Sequence, residues 1–337
     1  MEERKSKRGK IGLTVFLLVD LLLIGAAVYM IAARQRDIPT GAPLGGTAAS
    51  VLDSVPEETV PAATEPDVPA PLELADEIEC GYAYVVNASD GLVLAEKNGE
   101  ERMYPASMTK LMILLLACES GIEPDEPFTF DQDMLDPLIE RGASRVGFEA
   151  GETVTFGDLL YGSVLPSGGD ATAALAIMID GDEQTFANHM NRKAQALGMF
   201  DTHFSNASGL HAEDHYSTAR DIALLLQETL KHDLCRTVLT TPVYTTSRTS
   251  QHPNGLELYS VVDQRMAGFL PQHIVFQGGK TGFTDYAGYC LASFAEQADT
   301  TYIVVVAGGE DKETPCRDAQ TLYELLCGVP EQNVGEQ

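Results

Sequence analysis

Basic side chains are scarce in this chain: 22 Lys and Arg stand against 50 Asp and Glu, for a net charge of -28 at pH 7. The imbalance deepens past residue 36, because residues 1–36 hold seven of the basic and only three of the acidic side chains. Such a surface repels phosphate backbones and excludes a nucleic-acid partner. Its ordinary service is solubility. Metal signatures are missing as well. No pair of the six cysteines has C-x-x-C spacing, and none of the seven histidines belongs to an H-E-x-x-H run. A zinc ribbon or thioredoxin-type redox site is thereby removed. An even cysteine count permits disulfides in an exported protein, although a chain of this size does not need them. Cys118, inside an apolar run, suits a buried free thiol. Internal repeats are also absent.

One long hydrophobic run is present. Ile11 to Ala33 spans 23 residues with Asp20 as its single charge, about 35 Å as a helix and enough to cross a bilayer. Arg4, Lys5, Lys7, Arg8 and Lys10 precede it, and the positive-inside rule keeps that end cytoplasmic. An uncleaved anchor over residues 1–36 is expected, since the apolar part of a cleaved signal peptide usually spans about 7–15 residues. Residues 37–79 change character: seven prolines punctuate Ala, Thr, Gly and acidic residues. That composition reads as an extended linker that holds the rest off the membrane.

Residues 80–330 carry the globular signals. Tyr82–Val86 and Leu92–Ala95 form a hairpin pattern, and Met108–Ala117 suits a buried helix. Helical patterns follow at Phe156–Leu165, Ala171–Ile179, Phe186–Leu197 and Thr218–Leu230. Strand signals return at Ile274–Phe276, Tyr289–Phe294 and Tyr302–Ala307, before a closing helix from Asp318 to Cys327. Two strands, a helical insertion and then at least three strands imply one α/β domain. Its sheet should be largely antiparallel, completed by distant segments and flanked by helices.

Three short motifs carry chemistry. In Ser107-Met108-Thr109-Lys110, three-residue helical spacing puts serine and lysine on one face. Serine needs a base beside it. Lysine can serve only if burial or a second cation lowers its pKa from about 10.4. Leu111–Leu116 promise the burial, and Pro105 suits a first helical turn. In Lys280-Thr281-Gly282, between strand-like segments, lysine and threonine can bind a carboxylate while glycine lets a ligand lie against the strand. A phosphate-binding loop would require glycine where Ile274 stands, so a nucleotide site is rejected. In Pro166-Ser167-Gly168-Gly169-Asp170-Ala171, a turn can project Ser167 from a helix entrance; an ordinary N-cap is the plain alternative.

The three come in the chain order S-x-x-K, S-D-N, K-T-G that marks penicillin-binding proteins and class A β-lactamases. With Tyr104-Pro-Ala-Ser-Met-Thr-Lys110, Asp158-Leu-Leu-Tyr-Gly162, Asn206-Ala-Ser-Gly-Leu210, Ser217-Thr-Ala-Arg-Asp221 and Gly279-Lys-Thr-Gly-Phe-Thr-Asp285, residues 80–327 resemble the serine D-Ala-D-Ala carboxypeptidases, the low-molecular-weight penicillin-binding proteins. That resemblance implies a β-lactamase/DD-peptidase-like fold. It implies Ser107 as nucleophile, Lys110 as base and Ser167 as proton relay. Lys280 and Thr281 would hold the substrate's terminal carboxylate, Gly282 and Phe283 would also bind substrate, and the backbone N–H groups of Ser107 and Phe283 would form the oxyanion hole. No metal or cofactor is implied. The partners would be peptidoglycan stem peptides ending in D-Ala-D-Ala, β-lactams as covalent inhibitors, and the bacterial plasma membrane, with the catalytic domain outside it.

This chain departs from the pattern at Gly169, where the family carries asparagine. A hydrogen bond lost there is worth about 0.5–1.5 kcal/mol, so slower acylation is expected, and asparagine restored at 169 should speed it. Many relatives carry a further C-terminal β-domain, for which no room is expected here. A class A β-lactamase would also carry a Glu-x-x-Leu-Asn segment between the second and third motifs, and none occurs between Asp170 and Gly279. A catalytically weak peptidoglycan-binding or penicillin-binding module is the reading that Gly169 favours.

Overall fold

Apolar side chains occupy both faces of the C-terminal strands, and helices cover the resulting sheet on both sides. The computed structural model describes residues 70–326. In chain order, β1 is Leu72–Glu73, β2 Tyr82–Asn87 and β3 Val93–Lys97. β4 (Pro127–Thr129) pairs with β5 (Thr153–Thr155), and β6 (Val243–Thr245) with β7 (Glu257–Tyr259), as two small hairpins. β8 is Val275–Thr284, β9 Gly288–Gln297 and β10 Thr300–Gly309. The main sheet has the order β1-β3-β2-β10-β9-β8. Every pairing in it is antiparallel except that of β1 with β3. The two ends of the domain meet at its centre, where Val85 of β2 stands opposite Val304 of β10.

Strand periodicity sorts the core. Tyr84, Val86, Phe294, Ile303 and Val305 point to the helical body, while Ala83, Val85, Leu291, Val304 and Val306 face the closing helix Thr314–Leu326. The helix Lys110–Glu119 lies inside the body, and every side chain from Lys110 to Ala117 is buried. A helix that is apolar all round has no face for water. The helices Phe156–Val164, Gly169–Asp180 and Ala219–Thr229 pack around it.

Composition assigns residues 37–79 to a linker, but the last ten of these belong to the folded body. Leu72 and Glu73 pair with Ala95 and Glu96 of β3. Leu74 and Ile78 are buried against the closing helix's side of the sheet. Two apolar side chains spaced among prolines and acids give no period to read, so only the tertiary contact reveals them. The run Ile11–Ala33 and the remainder of the linker lie outside the described residues. Among the described residues no helix is long and apolar enough to cross a membrane. Five cysteines there are free thiols, with Cys118 half-buried.

Candidate active site

Ser107 sits in a 3₁₀ turn, Ala106–Thr109, and Lys110 opens the helix that continues from it. Side chains three apart on such a turn eclipse one another. Lys110 Nζ accordingly lies 3.0 Å from Ser107 Oγ, and it also donates to the Ser208 carbonyl at 2.7 Å. Only 2% of Lys110 is exposed. Burial brings its pKa down to about 7, against the opposing pull of the Asp170 carboxylate. Behind the turn, Thr109 Oγ1 meets His215 Nε2 at 2.8 Å, and burial holds that imidazole at about 4, neutral at ordinary pH.

The other family-like motifs hold this turn in place. Asn206 Oδ1 accepts from Ser208 Oγ and Gly209 N, both at 2.9 Å, and curls the loop tightly. Gly209 has φ +81°, and a Cβ there would lie 2.1 Å from the Ala106 carbonyl. Glycine is what lets this loop press against the nucleophile turn. Ser217 exchanges backbone hydrogen bonds with Met103, fixing the approach to Tyr104-Pro105. Asp158 is buried and accepts from Tyr244 Oη and Ser247 N, which ties down the segment leading to β7.

Ser167 has φ +63°, a left-handed conformation that costs a non-glycine residue energy and collects at functional sites. Its Oγ is buried and finds no hydrogen-bond partner among the described residues. A neighbouring loop grips this bend. Ser144 Oγ donates to the Ser167 carbonyl at 2.5 Å, and Gly169 N donates to the Ser144 carbonyl at 2.6 Å. Asp170 accepts from Val146 N and Gly147 N at 2.8 and 3.0 Å.

Ser107, Lys110, Ser144, Ser167 and Ser208 line one cavity of about 320 Å³ with Thr281, Gly282, Phe283 and Thr284 of β8. β8 is an edge strand, so its outer backbone groups are open to pairing by an extended ligand. Lys280, expected to help hold the terminal carboxylate, belongs to the same strand. It does not line the cavity; only 1% of it is exposed and Nζ donates to the Thr281 carbonyl at 2.9 Å. Burial first, then the nearby Lys110 and Arg265 charges, hold it well below the usual lysine range. The cation on the cavity wall is Arg265, which sequence reading missed. It sits on the short helix Val261–Met266, where the i, i+4 pair Val262 and Met266 is the only periodic signal.

Comparison with known proteins agrees with this geometry. A family model described as D-alanyl-D-alanine carboxypeptidase matches residues 68–311. The D-alanyl-D-alanine carboxypeptidase DacF of Bacillus subtilis (strain 168) is 35% identical over 254 residues, 75% of this chain and 62% of its own length. DacC of Escherichia coli (strain K12) is 31% identical over 71% of this chain and 58% of its own. This chain thus spans about three fifths of those two relatives. Among solved structures, the Streptomyces K15 DD-transpeptidase superposes with TM-score 0.66 at 28% identity, covering 73% of this chain and 95% of that one. Penicillin-binding protein D2 from Listeria monocytogenes, in a cefotaxime-bound form, gives 0.63 at 29% identity, covering 73% and 96%. Fold, motif order and the serine–lysine pair all point the same way, and the chain belongs to the D-alanyl-D-alanine carboxypeptidase family.

Proposed function

We propose that the protein is a serine DD-carboxypeptidase that removes the terminal D-alanine of peptidoglycan peptides through an acyl-enzyme on Ser107. The observation that carries this reading is the 3.0 Å contact between Ser107 Oγ and a buried lysine amine whose pKa is lowered to about 7. A neutral amine has the lone pair that a general base needs.

The donor peptide lies along the edge of β8 with its terminal carboxylate toward Thr281 and Arg265. Lys110 takes the Ser107 proton as Oγ attacks the penultimate carbonyl. Backbone N–H groups of Ser107 and Phe283 receive the developing oxyanion. The proton passes through the Ser167 hydroxyl, whose buried oxygen has no hydrogen-bond partner among the described residues, to the departing nitrogen of D-alanine. Water then enters, Lys110 again removes a proton, and the shortened peptide is released. Lys280 contributes shape from within the wall. The 23-residue apolar run and its basic flank support a single-pass anchor in the bacterial plasma membrane, with this domain outside.

Mass spectrometry after incubation with a fluorescent penicillin tests the reading. The expected result is one stable adduct on Ser107 and D-alanine release from a D-Ala-D-Ala pentapeptide that Ser107→Ala abolishes. Rapid penicillin turnover, or release no faster than in the Ser107→Ala control, overturns it. The second outcome would leave a peptidoglycan-binding module, the role that the missing amide at Gly169 favours.

A further inference from the structure

Val261 and Arg265, on the wall of the reactive cavity, are shared with a second cleft of about 450 Å³. Its other side is built by Phe269 and by Lys312 and Glu313, which stand on the turn between β10 and the closing helix. The helix Val261–Met266 thus has the Ser107 cavity on one flank and this cleft on the other. Nothing in the reaction proposed above uses the second of them.

The charges of the cleft choose among ligands. Basic side chains are scarce in this chain, yet two of them meet here without partners. Neither Arg265 nor Lys312 forms an ion pair or a side-chain hydrogen bond among the described residues. Arg265 has only the Tyr289 ring, 5.6 Å from its guanidinium carbon. The acid on the rim is engaged: Arg317 lies 3.7 Å from Glu313 and also 3.7 Å from its neighbour Asp311. The unengaged charge is therefore positive. A guanidinium and an ammonium side by side suit a carboxylate, and Val261 and Phe269 offer apolar surface to the carbon chain that carries it.

The shared wall says which part of the substrate arrives there. With the terminal carboxylate at Thr281 and Arg265, the leaving residue lies against that wall, while the rest of the donor runs the other way, past Phe283 and Thr284. A leaving residue as short as alanine stops at Arg265. One with a longer side chain reaches past it toward Lys312. We propose that this cleft is a specificity subsite for the leaving residue, through which the enzyme also releases a terminal D-amino acid with an acidic side chain, the side-chain carboxylate lying between Arg265 and Lys312. The bond chemistry is unchanged: the same amide breaks, the departing nitrogen takes the same proton, and water hydrolyses the same ester on Ser107. The proposal rests on the reaction proposed above.

The test compares two peptides on the full-length protein, Nα,Nε-diacetyl-L-lysyl-D-alanyl-D-glutamate and its D-glutamine counterpart, which differ in charge and hardly in size. At low ionic strength kcat/KM for release of the last residue should favour D-glutamate by about tenfold, a factor worth 1.4 kcal/mol. In Lys312→Gln the ratio should fall close to one, with the D-glutamine peptide as internal reference for folding and chemistry. Equal rates in the wild-type protein, release of neither residue, or a ratio that survives in Lys312→Gln overturn the subsite. The peptide ending in D-alanyl-D-alanine separates the failures. A protein that releases D-alanine from it but does not prefer D-glutamate loses only the subsite, whereas one that releases none loses the underlying reaction as well.

Discussion

Anywhere on a surface, the amine of Lys110 would be protonated up to about pH 10. In this fold only 2% of the residue is exposed, and the two acceptors it retains are a hydroxyl and a carbonyl rather than a carboxylate. With its pKa at about 7, the base form grows through neutrality. Penicillin acylation of Ser107 should therefore rise about tenfold per pH unit below 7 and level off above 8, as read by stopped-flow labelling. A flat profile from pH 5 to 9 would remove Lys110 as the base. Stability follows the same proton. The folded pKa lies below the unfolded one, so between about 7 and 10.5 the unfolded chain holds more protons, and this group's contribution to stability rises with pH across that window. The pairing was legible in the sequence because it is local: four consecutive residues on one turn decide it. Lys280 and Arg265 were not legible in this way. Which of two basic side chains faces a cavity depends on packing between β8 and the helix Val261–Met266, and eight residues separate these in the sequence.

Elements with a long apolar period could be read in advance, because their own pattern fixes the buried face. The helices from Phe156, Gly169, Glu183 and Ala219, and the last two strands, fall within a few residues of expectation, whereas β8 runs on from Phe276 through the Lys280-Thr281-Gly282 motif to Thr284. Elements held by contacts with others could not. The bend at Ser167 and the loop that grips it show why this matters. From sequence, Gly169 reads as a lost hydrogen bond that asparagine would restore. In the structure a Cβ on Gly169 would stand 3.1 Å from the Ser144 carbonyl and 3.3 Å from Ala143 Cβ. The loop crowds the position of a Cβ, and the Gly169 N–H is already bonded to it at 2.6 Å. Gly169→Asn should accordingly slow acylation and lower stability by about 1–3 kcal/mol through overpacking, the reverse of the expectation from the motif alone. Thermal unfolding and the acylation rate measured on one preparation decide the matter; faster acylation with an unchanged melting temperature would show that the loop yields.

At the scale of the whole molecule, the sheet is two-sided, and its second face is closed by segments from both ends of the described chain. The closing helix Thr314–Leu326 presents Leu322 and Tyr323 to that face, and Leu74 and Ile78 complete the cover. The junction is polar and buried: Asp318 accepts from Cys80 N at 2.7 Å and Glu79 N at 3.2 Å and is 4% exposed. Asp318 therefore satisfies two backbone donors that the turn before β2 would otherwise leave without partners. Removing it strands the buried Cys80 N–H, at about 1–3 kcal/mol for a buried group left without a partner, while water can reach the part-buried Glu79 N–H. Leu74→Ala empties a site covered on all sides, a change that typically costs about 2–5 kcal/mol. Both positions are remote from Ser107, so urea unfolding should shift to lower midpoints in Asp318→Ala and in Leu74→Ala while Ser107 still takes up penicillin in native buffer. The double variant should lose less than the sum, because the two side chains anchor one strap against one helix. If Asp318→Ala and Leu74→Ala each stay within about 0.5 kcal/mol of the parent, as ordinary surface changes do, residues 70–79 belong to the tether after all and the folded domain begins at β2.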